Sequence, residues 1–286
     1  MTGMDAPGFV DIHHHLLPGL DDGPKSWAES LAMARAAQEA GIRVVVATPH
    51  IHLGNPGQPS AAIIAELVEE LRSRVASAGL RLEVLPGAEV YPVPDLARWL
   101  ERAGAVRPLG QGTQVRYLLL DLPLGRLPPY FDRLIFEVSL AGFIPVIAHP
   151  ERNQQLAEQA ERLLAFVNQG AVAQVTALSL LGGFGAAARR AAEEFVARGA
   201  VQAVATDAHD PVHRSPLSMR EAFRRLVKLV GPGRALDLCE RWPLAMARGE
   251  PVTEIVPAGA APASRVARPG LARGLRALWG RLAGTG

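Results

Sequence analysis

Residues 41–52 of this 286-residue chain read GIRVVVATPHIH. A glycine is followed by a run of β-branched apolar residues, and the run leads to His50 and His52. A short continuous apolar run of this kind is typical of a strand that is buried on both faces, as in a parallel sheet. The segment therefore predicts a buried strand with imidazole side chains at its carboxyl end.

The same arrangement recurs along the chain. Seven short apolar runs have the length and composition of strands, at residues 9–12, 43–47, 81–85, 116–120, 144–148, 171–175 and 201–205. Segments with helical spacing lie between most of them, at residues 26–40, 60–78, 129–141, 157–169 and 186–197. Strands that alternate with helices predict an α/β fold with a parallel sheet. Seven strands with two apolar faces favour a single closed or nearly closed β/α barrel, which we place at residues 1–250.

The composition excludes several classes of protein. The chain has 30 Lys and Arg against 28 Asp and Glu, a net charge of +2 that argues against wholesale nucleic-acid binding. No signal-peptide pattern and no apolar run near the ~20 residues of a membrane span is present, so we expect a cytoplasmic protein. The single cysteine, Cys239, excludes a disulfide within the chain. It also lacks an arginine six positions later, where Ala245 stands, so a cysteine-based phosphate loop is not expected.

The composition changes near residue 250. Residues 251–268 are rich in Pro, Ala and Gly and predict a linker, and residues 269–286 form a basic amphipathic segment. Five arginines and no acidic residue follow residue 255, so the remainder of the chain carries a net charge of −3. The pattern suits a helix on an anionic membrane surface, but also a helix docked on the protein or a neighbouring subunit, or a disordered end. Vesicle flotation with and without residues 257–286 would distinguish these alternatives.

All eight histidines follow apolar runs, in four groups. The groups are His13, His14 and His15; His50 and His52; His149; and His209 and His213. Carboxylates follow the same runs: Asp21 and Asp22, Glu89, Asp121, and Asp207. Because the carboxyl ends of the strands meet at one mouth of a β/α barrel, we expect these side chains to converge. Imidazoles and carboxylates without thiolates suit Mn, Fe or Zn in a catalytic role.

The spacing of His13, His14 and His15 indicates which of the three can bind the same ion. Alternate side chains of an extended segment share one face, so His13 and His15 can reach one ion while His14 points away. His52 and His213 lie next to stronger candidates, and either could contact a substrate instead.

At these residues the sequence closely resembles the polymerase and histidinol phosphatase (PHP) family. More narrowly, it is similar to the manganese-dependent protein-tyrosine phosphatases of bacterial capsule and exopolysaccharide systems. The matching segments, in order, are DIHHHLLPGLDDG, GIRVVVATPHIH, VLPGAEV, GFIPVIAHPERN, QVTALSLLG and VATDAH. The resemblance implies a distorted (β/α)7 barrel, which agrees with the seven runs.

The resemblance also implies a ligand set for up to three ions. The first ion would be held by His13, His15, Glu89 and Asp207. Glu89 would bridge to a second ion that is also held by Asp121 and His149. A third would be held by Asp22, His50 and His209. Mn²⁺ is the expected metal, with Fe, Zn, Mg or Co as alternatives. Asp121 stands where this branch of the family has a glutamate, so its reach is shorter by one methylene.

The activity implied is hydrolysis of phosphotyrosine, on the tail of a bacterial tyrosine kinase. Metals of this kind activate water near neutral pH, so no cysteine nucleophile is needed. Arg152 and Arg214 resemble the phosphate-binding arginines of the family, and the planar fork of arginine matches phosphate. A strong general acid is not required for a phenolate leaving group; Asp207 or a metal-bound water is the candidate source of a proton.

Two other functions stay open from the sequence. The first is a small-molecule phosphoesterase such as a histidinol-phosphate phosphatase, which shares the metal ligands; the HPER and LPGAEV segments favour the tyrosine phosphatase. The second is a non-catalytic binding module stabilised by metal, which would be marked by loss of ligands, and no ligand is lost. The amidohydrolases, another class of metal barrel, usually have a lysine ligand, and no lysine lies near these strand ends.

Overall fold

The computed structural model describes residues 8–102, 104, 106–110 and 114–252. In these residues the strands are β1 (Phe9–His14), β2 (Ile42–Ala47), β3 (His50–Ile51), β4 (Glu83–Pro86), β5 (Glu89–Val90), β6 (Arg116–Leu120), β7 (Phe143–Ala148), β8 (Val172–Thr176) and β9 (Ala203–Ala205). The predicted basic segment at residues 269–286, and all of the predicted linker except residues 251 and 252, lie outside the described residues.

Helices occupy most of the connections between strands. They are α1 (Trp27–Ala40), α2 (Ala61–Ser77), α3 (Leu96–Leu100), α4 (Phe131–Leu140), α5 (Gln154–Glu158), α6 (Ala160–Asn168), α7 (Ala177–Leu180), α8 (Gly185–Ala197), α9 (Ser218–Leu236) and α10 (Trp242–Arg248). A 3₁₀ turn (Pro150–Arg152) precedes α5, and a π-helical turn (Asp237–Arg241) joins α9 to α10. All five predicted helical segments coincide with helices.

The strands form two parallel sheets. One has the order β1-β2-β4 and the other the order β3-β5-β6-β7-β8-β9, and every pairing between strands is parallel. The prediction of an α/β fold built on parallel strands is therefore confirmed. Each of the seven predicted runs overlaps one strand; the two extra strands, β3 and β5, are short segments that follow β2 and β4.

Backbone hydrogen bonds also join the carboxyl ends of strands to segments that follow neighbouring strands. The Gly87 amide donates to the carbonyl of Ala47 at 2.9 Å, which links the β4–β5 connection to the end of β2. At the other edge, the Asp207 amide donates to the carbonyl of His13 at 2.8 Å. The segment that follows β9 is thus bonded to the end of β1, which brings the first and last strand ends together.

Both faces of the strands are buried. Val44 and Val46 pack in a small apolar cluster on one face of β2, and Val45 and Ala47 pack in a larger cluster that includes the helices. Burial on both faces explains why the sequence of β2 is continuously apolar rather than alternating. The α1 helix that precedes it begins after Ser26, whose hydroxyl accepts from the Glu29 amide, and ends at Gly41 with φ of 90°.

No helix among the described residues is both long enough and apolar enough to cross a membrane. Cys239 is fully buried, and burial raises the pKa of its thiol. It lies on the π-helical turn rather than in the cleft described below.

Candidate metal centre

The predicted ligand residues converge at the carboxyl ends of the strands. His13 is near the end of β1, His50 begins β3 and Glu89 begins β5, while the remaining candidates follow β1, β6, β7 and β9. Their donor atoms form four overlapping groups, each within 4.8 Å: His13, His15 and Asp207; His13, Glu89 and His149; His50, Glu89 and Asp121; and His15, Asp22, His50 and His209. All nine positions implied by the resemblance belong to at least one group.

The deepest group contains His13 and His15. Their Nε2 atoms lie 3.3 Å apart. The His13 Nε2 atom is 3.2 Å from Glu89 Oε2 and 3.4 Å from Asp207 Oδ1, and the His15 Nε2 atom is 3.5 Å from each of these oxygens. All four side chains are buried, so their donor atoms surround one small volume from which bulk water is excluded.

Glu89 connects this group to its neighbour. Its Oε1 atom lies 3.0 Å from His149 Nε2, which is in turn 3.5 Å from Asp121 Oδ1. The other oxygen, Oε2, lies 2.9 Å from His50 Nδ1. One carboxylate therefore offers an oxygen to each of two adjoining sets of donors, which is the geometry of a bridging ligand.

The outermost group is centred on Asp22, whose side chain is 63% exposed. Its Oδ1 atom lies 3.1 Å from His209 Nε2 and 3.5 Å from His50 Nε2. The His15 ring stacks near that of His209, with 3.8 Å between centroids, so His15 belongs to this group as well as to the deepest one. His50 likewise faces two groups, one through each ring nitrogen.

The donor set fits divalent cations. Glu89 Oε2, His50 Nδ1 and His209 Nε2 are buried, and none has a partner in hydrogen-bond geometry among the described residues, although each has a nitrogen or oxygen neighbour nearby. Oxygen and nitrogen atoms that share one octahedral ion, with bonds of about 2.1 Å, lie about 3 Å apart. The observed separations match this spacing, and cations between the donor atoms would give the orphaned atoms partners.

Hydrogen bonds to oxygen atoms other than the candidate donor atoms orient three of the imidazoles. The Nδ1 atom of His13 lies 2.8 Å from Gln174 Oε1, and that of His15 lies 2.7 Å from Asp21 Oδ2. The Nδ1 atom of His209 lies 2.9 Å from the Asp207 carbonyl oxygen. Because each Nδ1–H is donated to an oxygen, each Nε2 lone pair faces the neighbouring donors, as metal binding requires. Gln174 and Asp21 are not among the predicted ligands; the sequence marks Asp21 only as a carboxylate near the histidines.

The electrostatics of the cleft keep its central acids ionised. Burial raises the pKa of Asp207, but the charges of His13 and Arg214 and the hydrogen bond to His15 outweigh burial and hold this pKa well below its usual range. The pKa of Glu89 is held well below its usual range by similar contacts, again against the effect of burial. Asp121 differs, because burial and the nearby Glu89 charge raise its pKa. Positive charge close to the carboxylates of Asp207, Glu89 and Asp121 therefore stabilises their ionised forms.

The three remaining histidines lie outside the four groups. His14 is fully buried, its ring nitrogens have no hydrogen-bond partner among the described residues, and burial lowers its pKa to about 3. Its exclusion agrees with the expectation that it points away from the ions. The His52 ring stacks on Tyr91 with 5.0 Å between centroids, while the His213 side chain is 88% exposed.

Arg152 and Arg214 lie beside the metal-ligand groups. Arg152 Nη1 donates to Asp207 Oδ2 at 2.8 Å, and Arg214 Nη2 donates to the same oxygen at 2.7 Å. Both guanidinium groups also lie over the ring of Phe184, at 4.2 Å and 6.0 Å from its centroid. They line a cleft of about 290 Å³ together with Asp22, His50, Asp121, His149 and Asp207. The cleft thus places two fixed cations next to the metal-binding side chains, which suits an anionic ligand.

The fold and these side chains define an α/β protein with a multi-histidine metal-binding cleft. Residues 9–246 match the family described as "Capsular polysaccharide synthesis, CpsB/CapC", and the chain belongs to this family. The resemblance inferred from the motifs is therefore confirmed.

Relatives of the chain are tyrosine phosphatases by name. It is 37% identical to tyrosine-protein phosphatase YwqE of Bacillus subtilis (strain 168) over 78% of this chain and 85% of the relative. It is 32% identical to the putative tyrosine-protein phosphatase CapC of Staphylococcus aureus over 75% of this chain and 82% of the relative. A solved structure from work on YwqE of Bacillus subtilis and CpsB of Streptococcus pneumoniae, described as "unique metal-dependent tyrosine phosphatases", is similar with a TM-score of 0.78. The identity is 33%, over 85% of this chain and 96% of that chain.

Proposed function

We propose that the protein is a metal-dependent protein-tyrosine phosphatase, a phosphoric monoester hydrolase of capsular or exopolysaccharide synthesis. The observation that carries the proposal is the juxtaposition, in one cleft, of four overlapping groups of metal-binding side chains and two arginines aimed at the same carboxylate. The tyrosine phosphatases among its relatives support it.

The nine side chains in these groups would hold up to three ions, with Mn²⁺ the proposed metal. Bound there, divalent ions supply Lewis-acid stabilisation of phosphoryl oxygens and lower the pKa of water so that it becomes a nucleophile. The rest of the site then has to bind and orient the phosphoryl group. Arg152 and Arg214 present N–H groups at the edge of the cleft, and their planar forks match the equatorial oxygens on which charge develops.

The Asp207 carboxylate positions both arginines. It accepts from both guanidinium groups and faces His13 and His15, and these contacts hold its pKa well below its usual range. The suggestion from the sequence that Asp207 could protonate the leaving group stays a prediction. A phenolate leaving group has a pKa of about 10 and depends less on protonation than an alkoxide does.

The finer architecture is also a proposal. The hydrogen bonds that the Gly87 and Asp207 amides donate across the strand ends support a single distorted seven-strand barrel over residues 1–250. In this barrel, β2 with β3 counts as one interrupted strand, and β4 with β5 counts as another. We place the protein in the cytoplasm, with the phosphotyrosine tail of a bacterial tyrosine kinase as its substrate. For residues 269–286, peripheral membrane contact is one of the three alternatives that the sequence leaves open.

The test is metal removal and restoration. We expect chelation with EDTA to abolish hydrolysis of a phosphotyrosine peptide and added Mn²⁺ to restore it, whereas alkylating conditions that modify accessible thiols leave it unchanged because Cys239 is buried. Histidinol phosphate serves as the competing substrate. Activity that survives chelation, or a kcat/KM for histidinol phosphate above that for the phosphopeptide, would exclude the proposed function.

A further inference from the structure

A second, larger depression opens directly beside the metal cleft. It has a volume of about 690 Å³ and lies between α5 and α8. Leu124 and Arg152 line both this groove and the metal cleft, so the two cavities adjoin. A ligand whose phosphate reaches Arg152 would have its remaining atoms at the mouth of the groove.

The α8 side of the groove is built from small residues. Ala187, Ala188 and Ala191 line it, with the ring of Phe184 at the end nearest Arg152. The side chain of Leu124, which is 59% exposed, stands at the boundary between groove and cleft. Small side chains along a helix leave room for another polypeptide, and Phe184 and Leu124 provide an apolar surface for that polypeptide to contact.

One cation that lines the groove, Arg190, lacks an ion-pair partner within the described part of the chain. Glu151 is 1% exposed; its Oε1 atom accepts from the Thr176 amide at 3.0 Å and from the Ser179 hydroxyl at 2.6 Å, but its Oε2 atom has no hydrogen-bond partner. The exposed Arg190 forms no ion pair within 4.0 Å with any described residue, unlike its neighbour Arg189, which pairs with Glu193 at 2.9 Å. Glu158 and Glu194, which also line the groove, are engaged by Gln154 at 3.0 Å and by Arg198 at 3.3 Å. The unpaired cation of Arg190 is therefore suited to an acidic side chain of a ligand, whereas Glu151 Oε2 is buried beneath the groove surface.

We infer that this groove binds the polypeptide that flanks the phosphotyrosine, with an acidic side chain near Arg190. The inference rests on the proposed phosphatase function and extends it. The groove makes the enzyme selective for phosphotyrosine within a peptide over small aryl phosphates, which occupy only the metal cleft.

The experiment fills the groove without touching the metal cleft. Ala187 is exposed on α8 and lines the groove, so Ala187→Trp would occupy it. We expect kcat/KM for a phosphotyrosine peptide with acidic flanking residues to fall by about tenfold or more, because binding energy from remote parts of a substrate contributes to this constant. Hydrolysis of p-nitrophenyl phosphate should stay within about twofold of the wild-type value.

Ala186→Trp is the matched control, because Ala186 is an exposed neighbour on the same helix that does not line the groove. It should leave both substrates unaffected. Arg190→Glu is the second variant and should reduce kcat/KM for the acidic peptide more than for a peptide with neutral flanks. Equal kinetics of Ala187→Trp and wild type on the peptide, or equal loss on peptide and p-nitrophenyl phosphate, would overturn the groove assignment. A wild-type enzyme that hydrolyses neither substrate with Mn²⁺ would instead overturn the proposed function.

Discussion

Asp21 lies in the loop between β1 and α1 and contacts two of the candidate metal ligands. Its Oδ2 atom accepts from His15 Nδ1 at 2.7 Å and from the His50 amide at 3.2 Å. Asp21→Asn keeps the shape but removes the charge that fixes the His15 tautomer and raises its basicity. We expect the apparent affinity for Mn²⁺ to fall by about 10- to 100-fold, measured as the free Mn²⁺ concentration that restores half of the activity to chelated enzyme.

Asp132→Asn provides the control for that measurement. Asp132 lies on α4, pairs with Arg162 on the surface, and touches none of the metal-ligand groups. Its Mn²⁺ dependence should match the wild type. An unchanged Mn²⁺ requirement in Asp21→Asn would mean that the hydrogen bond to His15 does not contribute to metal binding.

For single residues, the sequence predicts the candidate metal ligands better than the residues that hold those ligands in place. Histidines are few, and all of them follow apolar runs, so their convergence at one edge of the sheet follows from the parallel arrangement alone. The partner of His13 is Gln174, 161 residues away, and glutamine at a strand position is an ordinary residue. Phe184, under both arginines, has no periodic or compositional signal either. Supporting contacts of this kind depend on tertiary packing that no local pattern encodes.

Helix α10, the last helix among the described residues, packs against the segment that precedes β6 through a close backbone approach at Gly110. This glycine has φ of 68°, and a Cβ atom placed on it would lie 1.9 Å from the carbonyl oxygen of Ala247. The Tyr117 hydroxyl continues the contact by donating to the Glu250 carbonyl at 2.8 Å. Gly110→Ala cannot keep this contact, and we expect a loss of at least about 2 kcal/mol in the free energy of unfolding, measured by urea denaturation.

Gly125→Ala controls for the loss of glycine itself. Gly125 does not have a positive φ, and a Cβ atom there would meet nothing within 4 Å, so its effect should stay within about 0.5 kcal/mol. If Gly110→Ala were as stable as Gly125→Ala, the packing of α10 against this turn would contribute nothing to the fold.

The elements themselves divide into those that local pattern predicts and those that it does not. Each predicted run overlaps a strand because burial on both faces forces a continuous apolar sequence. The interruptions at residues 48–49 and 87–88 are set by hydrogen bonds between neighbouring strands, such as Gly87 to Ala47, and are invisible locally. Residues 218–248 carry α9 and α10, which are not among the five helical segments predicted from the sequence; Gly231, with φ of 82°, and Pro232 interrupt α9 near its carboxyl end.

For the whole molecule, the metal centre joins parts of the chain that meet only in the folded state. Its ligands come from the ends of β1, β6, β7 and β9 and from the starts of β3 and β5. A ligand that binds only the folded protein stabilises it by about 2.7 kcal/mol at a concentration 100 times its dissociation constant. For a domain of this size we expect saturating Mn²⁺ to raise the unfolding midpoint of chelated protein by roughly 5 to 10 °C.

Glu89→Gln separates this effect from general ionic stabilisation. Glu89 offers an oxygen to each of two donor sets, so the variant keeps the side-chain volume but loses the bridging charge. Its midpoint should rise much less with Mn²⁺ than that of the wild type, while both proteins respond equally to a matched concentration of NaCl. The chelated variant should be less stable than the chelated wild type, because the depressed pKa of Glu89 means that its ionised carboxylate stabilises the metal-free fold through the neighbouring histidines. An equal Mn²⁺ shift in both proteins would place the stabilising ion outside this cleft, and the strand ends would then be held together by packing and hydrogen bonds alone.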